Sequence, residues 1–413
     1  MKNRKLNQWL LKWHFIAGIV SLPFVLVLAI TGAIYLFKPQ VEKPILDAVQ
    51  TISLESNTPI SYNQQWEIAK KNMKKKPNAM VLSKENKASE FVSGRFSHKT
   101  SLYVNKYTGE VTGVFTPKST WMHTIRKLHG ELLGGKIGTK IVELIASWMI
   151  VLILTGLYIW WPFQRGIKGV FTIRFKEGKR ILFRDLHAVL GFWMSALLLL
   201  TLAGGLPWTD VFGANFKRIQ KATNTGYPKT WSGRGLQSTM QVKALTLDEM
   251  ISIAKQQNLQ GVVHIGLPKS PKSTFSVSNN TFNFEARRML HFDQYSGALV
   301  KKHTWADVGV LMRGRMWVMA FHQGQFGGWN FWLMFGVALF LTLMSIGAVF
   351  SYVLRKPKGK LGLPVVNKRF SIPLFLVIIL VLLGVLLPLF GASLLLIVFF
   401  EKIKDAIRKK NNT

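Results

Sequence analysis

Residues Trp13–Phe37 read WHFIAGIVSLPFVLVLAITGAIYLF: a histidine, a glycine four residues later at Gly18 and another eighteen later at Gly32, within one apolar run. Residues His187–Trp208 read HAVLGFWMSALLLLTLAGGLPW and repeat the layout, with Gly191 four residues after the histidine and Gly204-Gly205 about eighteen after it. Each run has the roughly 20 apolar residues a helix needs to cross a hydrocarbon core. Further runs lie near Ile141–Phe163, Phe331–Leu354 and Ile372–Phe400, and the first spans about Phe15–Phe37. So many have no place in a water-soluble fold, so the chain is expected to be a polytopic membrane protein in contact with the lipid bilayer. The basic, then apolar N-terminus has the look of a signal peptide, but no small-x-small cleavage site precedes Lys38, so it is read as a retained anchor.

A formal charge of +35 raises the question of nucleic acid, and the placement of the charge argues against it. Lys2, Arg4, Lys5 and Lys12 precede the first run. Arg165, Lys168, Arg174, Lys176, Lys179, Arg180 and Arg184 separate the second from the third. Arg355, Lys356, Lys358, Lys360, Lys368 and Arg369 follow the fourth, and Lys402, Lys404, Arg408, Lys409 and Lys410 close the chain. Short basic loops stay on the cytoplasmic side, which predicts cytoplasmic N- and C-termini and no nucleic-acid partner. The chain has no cysteine, which excludes disulfides, iron–sulfur ligation, thiolate zinc and covalent c-type haem attachment.

Between the cytoplasmic loops, two long polar segments are expected on the outer face. Each reads as a helix (Ser61–Asn72; Leu247–Gln257) followed by strands, ending in a hairpin at Tyr107-Thr108-Gly109 or Tyr295-Ser296-Gly297. The halves therefore read as a parallel duplication. The expected organisation is residues 1–37, N-terminal tail and first span; 38–120, first outer domain; 121–163, outer histidine segment and second span; 164–184, basic loop; and 185–208, third span. Residues 209–318 form the second outer domain, 319–354 the second histidine segment and fourth span, 355–370 a basic loop, 371–400 a hydrophobic hairpin broken at Pro388 and Gly391, and 401–413 a cytoplasmic tail.

His14 and His187 begin inside-to-outside spans; His129 and His322 precede outside-to-inside ones, with Gly134-Gly135 and Gly327-Gly328 five and six residues after them. Two histidines at each of two levels is what bis-imidazole ligation of two b-type haems requires, one axial nitrogen from each facing helix. Eighteen residues of helix rise roughly 27 Å, so Gly32 and Gly204 are expected near the outer histidines, and Gly156 and Gly347 near the inner ones, as grooves for a haem. His123 is a rival to His129; six residues turn a helix by about 600°, so both cannot reach one iron. Lys136, Lys140 and Glu143 suggest an outer site at or above the bilayer surface, and His98, His264, His291 and His303 are read as solvated or structural. Taken singly, each histidine is also compatible with a plain interfacial role.

Trp13-His14 with Thr31-Gly32, Leu128-His129-Gly130 with Thr155-Gly156-Leu157-Tyr158-Ile159-Trp160-Trp161, the Tyr-Thr/Ser-Gly hairpins and Pro388-Leu389-Phe390-Gly391-Ala392-Ser393-Leu394 together resemble the PepSY-associated transmembrane proteins. The fourth span departs, with Ser345-Ile346-Gly347 and no following tryptophan. The resemblance implies two small α+β PepSY-like extracytoplasmic domains on four core helices in the inner membrane. It also implies di-haem reduction of a ferric siderophore at the periplasmic face, fed by a quinol or a cytoplasmic donor. The alternative reading is a non-catalytic, membrane-anchored PepSY module for protein interaction or protease regulation.

Overall fold

The computed structural model describes residues 4–410 except 54–57, 84–85, 162–169, 358, 360, 361, 363 and 365–370. Of the basic residues above, Lys2, Arg165, Lys168, Lys358, Lys360, Lys368 and Arg369 lie outside the described residues, as does the expected end of the second span at Phe163. The chain divides into two compact units. One comprises Met1–Leu36, Ile125–Arg218 and Trp317–Thr413; the other comprises Phe37–Thr124 and Ile219–Met316.

Four helices of the first unit are long and apolar enough to cross a membrane: α1 (Arg4–Leu36), and those later numbered α5 (Gly135–Trp160), α6 (Lys179–Gly205) and α10 (Gly328–Arg355). All begin earlier than hydropathy suggests; in α1, α5 and α6 helical backbone continues through the basic residues preceding the apolar run, so that α1 starts at Arg4 instead of Phe15. Pro23 lies inside α1 without ending it. Val25, Ile145 and Met149 form one internal cluster, and Ile153, Leu198 and Val337 another. Leu343, Ile346, Phe350 and Val353 of α10 point outward and are exposed, the apolar exterior a bilayer solvates.

Glu143 is not a marker of a wet level. It is buried in α5 and accepts hydrogen bonds from the Val211 and Phe212 amides (2.8 and 2.9 Å), where it caps a helix absent from the sequence-based reading, α7 (Val211–Ala222). The final apolar run forms α11 (Leu374–Leu386) and α12 (Pro388–Lys410), broken at Leu387-Pro388. A side chain at Gly391 would begin 2.6 Å from the Gly384 carbonyl, so the two helices touch backbone to backbone. Helix α12 runs on through the expected tail, and Phe390 packs edge-on against Trp148, whose indole donates to Ser393 (3.2 Å).

In the second unit, the segments expected as two domains share one antiparallel sheet. Helices α2 (Lys38–Gln50) and α3 (Tyr62–Asn72) precede strands β1 (Ala79–Val81), β2 (Ser89–Ser93), β3 (Thr100–Val104) and β4 (Val111–Phe115). After α4 (Trp121–Glu131) and the intervening spans come α8 (Leu247–Gln256), β5 (Val262–Gly266), β6 (Phe275–Asn280), β7 (Arg288–Phe292), β8 (Leu299–Thr304) and α9 (Val310–His322). The strand order β4-β3-β2-β1-β5-β6-β7-β8 reads alike from either end, and β1 pairs with β5 through Met80 opposite Ile265. Each four-stranded half would otherwise leave that edge unpaired, which drives the join.

Met80, Phe91, Leu102, Ile265, Phe275 and Val277 form the core with Ala69 of α3 and Ile251 of α8. Both helices begin with capping boxes, Ser61/Gln64 and Thr246/Glu249. Asp248 also accepts from the Tyr62 and Asn63 amides (2.8 and 3.1 Å), while Asn63 accepts from the Leu247 amide (3.0 Å), so each helix start satisfies the other.

Candidate functional site

The structure brings the four histidines together in two pairs. His14 of α1 and His187 of α6 have ring centres 6.3 Å apart; His129 of α4 and His322 of α9 have them 6.1 Å apart. His129 and His322 each occupy the last turn of a short helix. Tight reversals follow before α5 and α10, with Gly135 and Gly327 at φ of 55° and 95°, values a side chain would oppose. His123, the rival, belongs to the other compact unit, and the ring opposite His322 is that of His129.

The glycines sit at the expected levels, and each notch is filled by a histidine or by the helical turn that carries one. A Cβ on Gly156 would lie 3.1 Å from Cε1 of His14, and one on Gly32 would lie 3.1 Å from Cε1 of His129. At Gly204 it would meet Cβ of His322 and the Val318 carbonyl, both at 2.7 Å; at Gly347 it would meet Leu186, the Phe183 carbonyl and the His187 amide within 3.4 Å. The grooves therefore seat the histidines and let α6 and α10 close on one another.

Every one of the four rings is tied through Nδ1. His14 bonds the Thr155 hydroxyl (2.9 Å), His129 the Leu28 carbonyl (3.0 Å) and Thr31 hydroxyl (3.3 Å), His187 the Met344 carbonyl (3.3 Å) and His322 the Thr201 carbonyl (2.9 Å). A carbonyl can only accept. The two threonine hydroxyls already donate to carbonyls one turn back, Thr155 to Val151 (2.7 Å) and Thr31 to Val27 (2.6 Å), so they accept as well. Each neutral ring then carries its proton on Nδ1, assigned from this network, and Nε2 keeps the lone pair a metal needs.

These partners escaped the reading of the sequence, since a carbonyl leaves no letter. A helical side chain covers the turn before it, so glycine uncovers the carbonyl three or four residues earlier. Met344, Thr201 and Leu28 stand in that relation to Gly347, Gly204 and Gly32. The legible signal was the threonine beside Gly32 and Gly156.

Whether a haem suits these residues is a matter of spacing and donor set. Metal–imidazole bonds of about 2.0 Å, with each nitrogen about 1.2 Å from its ring centre, separate the centres by about 6 Å, as in both pairs. Among the described residues, no three His, Asp or Glu side chains converge on one point, so a metal between two histidines needs a ligand frame of its own, which a porphyrin provides. A cavity of about 1090 Å³ adjoins the first pair, lined by His14, His187, Gly18, Gly156 and Gly191 among others. The residues fit the group.

A polytopic helical unit with paired histidines, joined in one chain to an antiparallel sheet carrying helices, defines the class. The chain belongs to the family described as the PepSY-associated TM region, which it matches over residues 11–355. Comparison with curated proteins returned no match.

Proposed function

We propose that this protein is a di-haem b-type electron carrier of the inner membrane that reduces ferric siderophore to the ferrous state at the periplasmic face. The observation that carries the reading is the set of four Nδ1-tethered histidines in two pairs at bis-imidazole spacing. Haem supplies one-electron chemistry when bound. The chain's own residues do the rest. His14 and His187 would hold one group and His129 and His322 the other; Thr155 and the carbonyls fix the tautomer and raise the ligands' basicity. The apolar walls of the bundle exclude water.

The duplicated layout, supported by the matching strand order and paired capping boxes, gives both halves the same direction through the membrane. With the basic loops and both termini cytoplasmic, His14 and His187 face the inner side, where a quinol or cytoplasmic donor delivers electrons. His129 and His322 then serve the outer side, where each electron converts one Fe(III) of a chelate to Fe(II), which hard oxygen ligands hold more weakly.

The test is spectroscopic and kinetic. Purified protein should show a Soret band and two haems per chain. After chemical reduction under anaerobic conditions it should be reoxidised by a ferric hydroxamate, catecholate or carboxylate chelate. Single-turnover oxidation should survive His187→Ala and be lost in His322→Ala, whereas quinol-driven turnover should be lost in both. A chain without a Soret band would be the passive anchor of a PepSY module. A haem protein that no chelate reoxidises would retain the carrier role and lose the siderophore.

A further inference from the structure

The cavity beside His14 and His187 is apolar along most of its wall and cationic at one end, where Arg180, Arg184 and Arg355 line it with one acidic residue, Glu177. The charges are not equivalent. Glu177 pairs with Arg174 (3.3 Å), which also bonds the fully buried Asp185 through Nε (2.8 Å) and Nη2 (2.9 Å). Arg184 reaches the same carboxylate through Nε (3.1 Å) and Nη2 (2.9 Å). Arg174 and Arg184 are thereby balanced by Asp185 and Glu177. Among the described residues, Arg180 and Arg355 form no ion pair; the Arg355 guanidinium lies over Phe15, 5.1 Å from the ring centre and next in sequence to His14.

Their placement follows from helix geometry. Arg180, Arg184 and His187 are spaced by four and three residues and share one face of α6, so Arg180 stands roughly 10 Å along the axis from His187. On α10, Gly347, Ser351 and Arg355 repeat at four-residue steps, and Gly347 abuts the His187 backbone. Both uncompensated cations thus lie to the same side of the histidine level. A ligand suited to this cavity is flat and apolar, offers a metal to two imidazoles, and bears two carboxylates on one edge.

We propose that Arg180 and Arg355 bind the two propionate carboxylates of the inner haem, with Arg184 held in place by Asp185 beside them. This rests on the haem reading above. Guanidinium–carboxylate pairs of this kind are charge-assisted and geometrically specific, and they fix which edge of an otherwise nearly symmetric disc faces the cytoplasmic loops.

The test uses the full chain produced without haem and reconstituted either with iron protoporphyrin IX or with its dimethyl ester, which keeps the ring and removes both charges. Loss of haem to an excess of a high-affinity apo-globin scavenger is followed by absorbance, in the wild type and in a His322→Ala background that isolates the inner site. The ester should leave the inner site roughly tenfold to a hundredfold faster than the native group. In the R180Q/R355Q double variant the native group should leave at the ester's rate, and the ester no faster than from the wild type. The outer-site phase of the wild-type background should not respond to the arginine changes. Equal rates for the two groups in the unmutated inner site overturn the inference without any variant having to fold, as does a double variant that still distinguishes them. Failure to bind either group would instead remove the haem reading on which the inference stands.

Discussion

Three histidine pairs in this chain have nearly the same ring separation: 6.3 Å for His14–His187, 6.1 Å for His129–His322 and 6.2 Å for His291–His303 in the sheet. Distance therefore does not single out a ligand pair. What separates the regions is the nitrogen already committed. In the helical unit each ring is tied at Nδ1; in the sheet His291 engages the Trp231 carbonyl through Nε2 (3.3 Å) and His303 the Thr230 hydroxyl through Nε2 (3.0 Å). The nitrogen left to the sheet pair is the one nearest its own backbone, and at His291 it faces the backbone of Gly233, where an added Cβ would lie 3.5 Å from Nδ1. Both sheet rings are buried, so they are structural and not solvated.

The largest effect that would break this contrast comes from alanine at the rings. Alanine at His14, His187, His129 or His322 should remove about half the haem absorbance, and alanine at His291 or His303 none of it. Haem lost from a folded His291→Ala protein would erase the distinction.

Next in size is Gly204→Ala, which must push against the Val318 carbonyl and the root of His322. Overpacking of this kind costs about 1–3 kcal/mol. The expected result is lower thermal stability and impaired haem retention at the His129–His322 pair alone, read as haem content with and without His187→Ala. Gly156→Ala should be milder, because the atom it meets is the tip of the His14 ring.

Smaller again is the loss of an Nδ1 partner. Thr155→Val leaves His14 without its hydroxyl acceptor and should speed haem release from the His14–His187 site by roughly tenfold to a hundredfold. Thr31→Val should do less, since His129 retains the Leu28 carbonyl. Equal effects would mean that the hydroxyls act through packing.

The smallest effect belongs to the sheet. Burial pushes the His291 and His303 imidazoles below the ordinary value of 6.5, partly countered by the Trp231 carbonyl at His291 and by Asp307 at His303, while Lys301 adds to the lowering at His303. A folded-state value below the unfolded one favours the neutral ring. The stabilisation is thus complete above pH 6.5 and fades as the pH falls below it toward the folded-state values. Scanning calorimetry of the full chain should show the sheet's transition dropping by a few degrees on acidification through that window, and the drop should shrink in His291→Gln.

Much of this was legible in the letters. Apolar runs located the spans because a bilayer demands length and composition together, and the His-Gly spacings located the pairs because a helix converts spacing into height. The union of the two polar segments was not legible: each half has its own helix and hairpins, and an unpaired edge at β1 or β5 has no signature in sequence. Nor was Glu143, whose charge reads as solvent exposure until the amides of Val211 and Phe212 are seen beneath it.

The seam between β1 and β5 also bears on biogenesis. Val81 and Val262 are roughly 180 residues apart, which at about 5–20 residues per second is roughly 10–40 s of synthesis. Through that interval the first four strands have no neighbour along β1, while α5 and α6, which come between in sequence, are being inserted. An open strand edge is a template for the wrong partner. The chain must therefore pass through a stage in which half a sheet waits for its complement, an exposure that ends only when β5 pairs along β1.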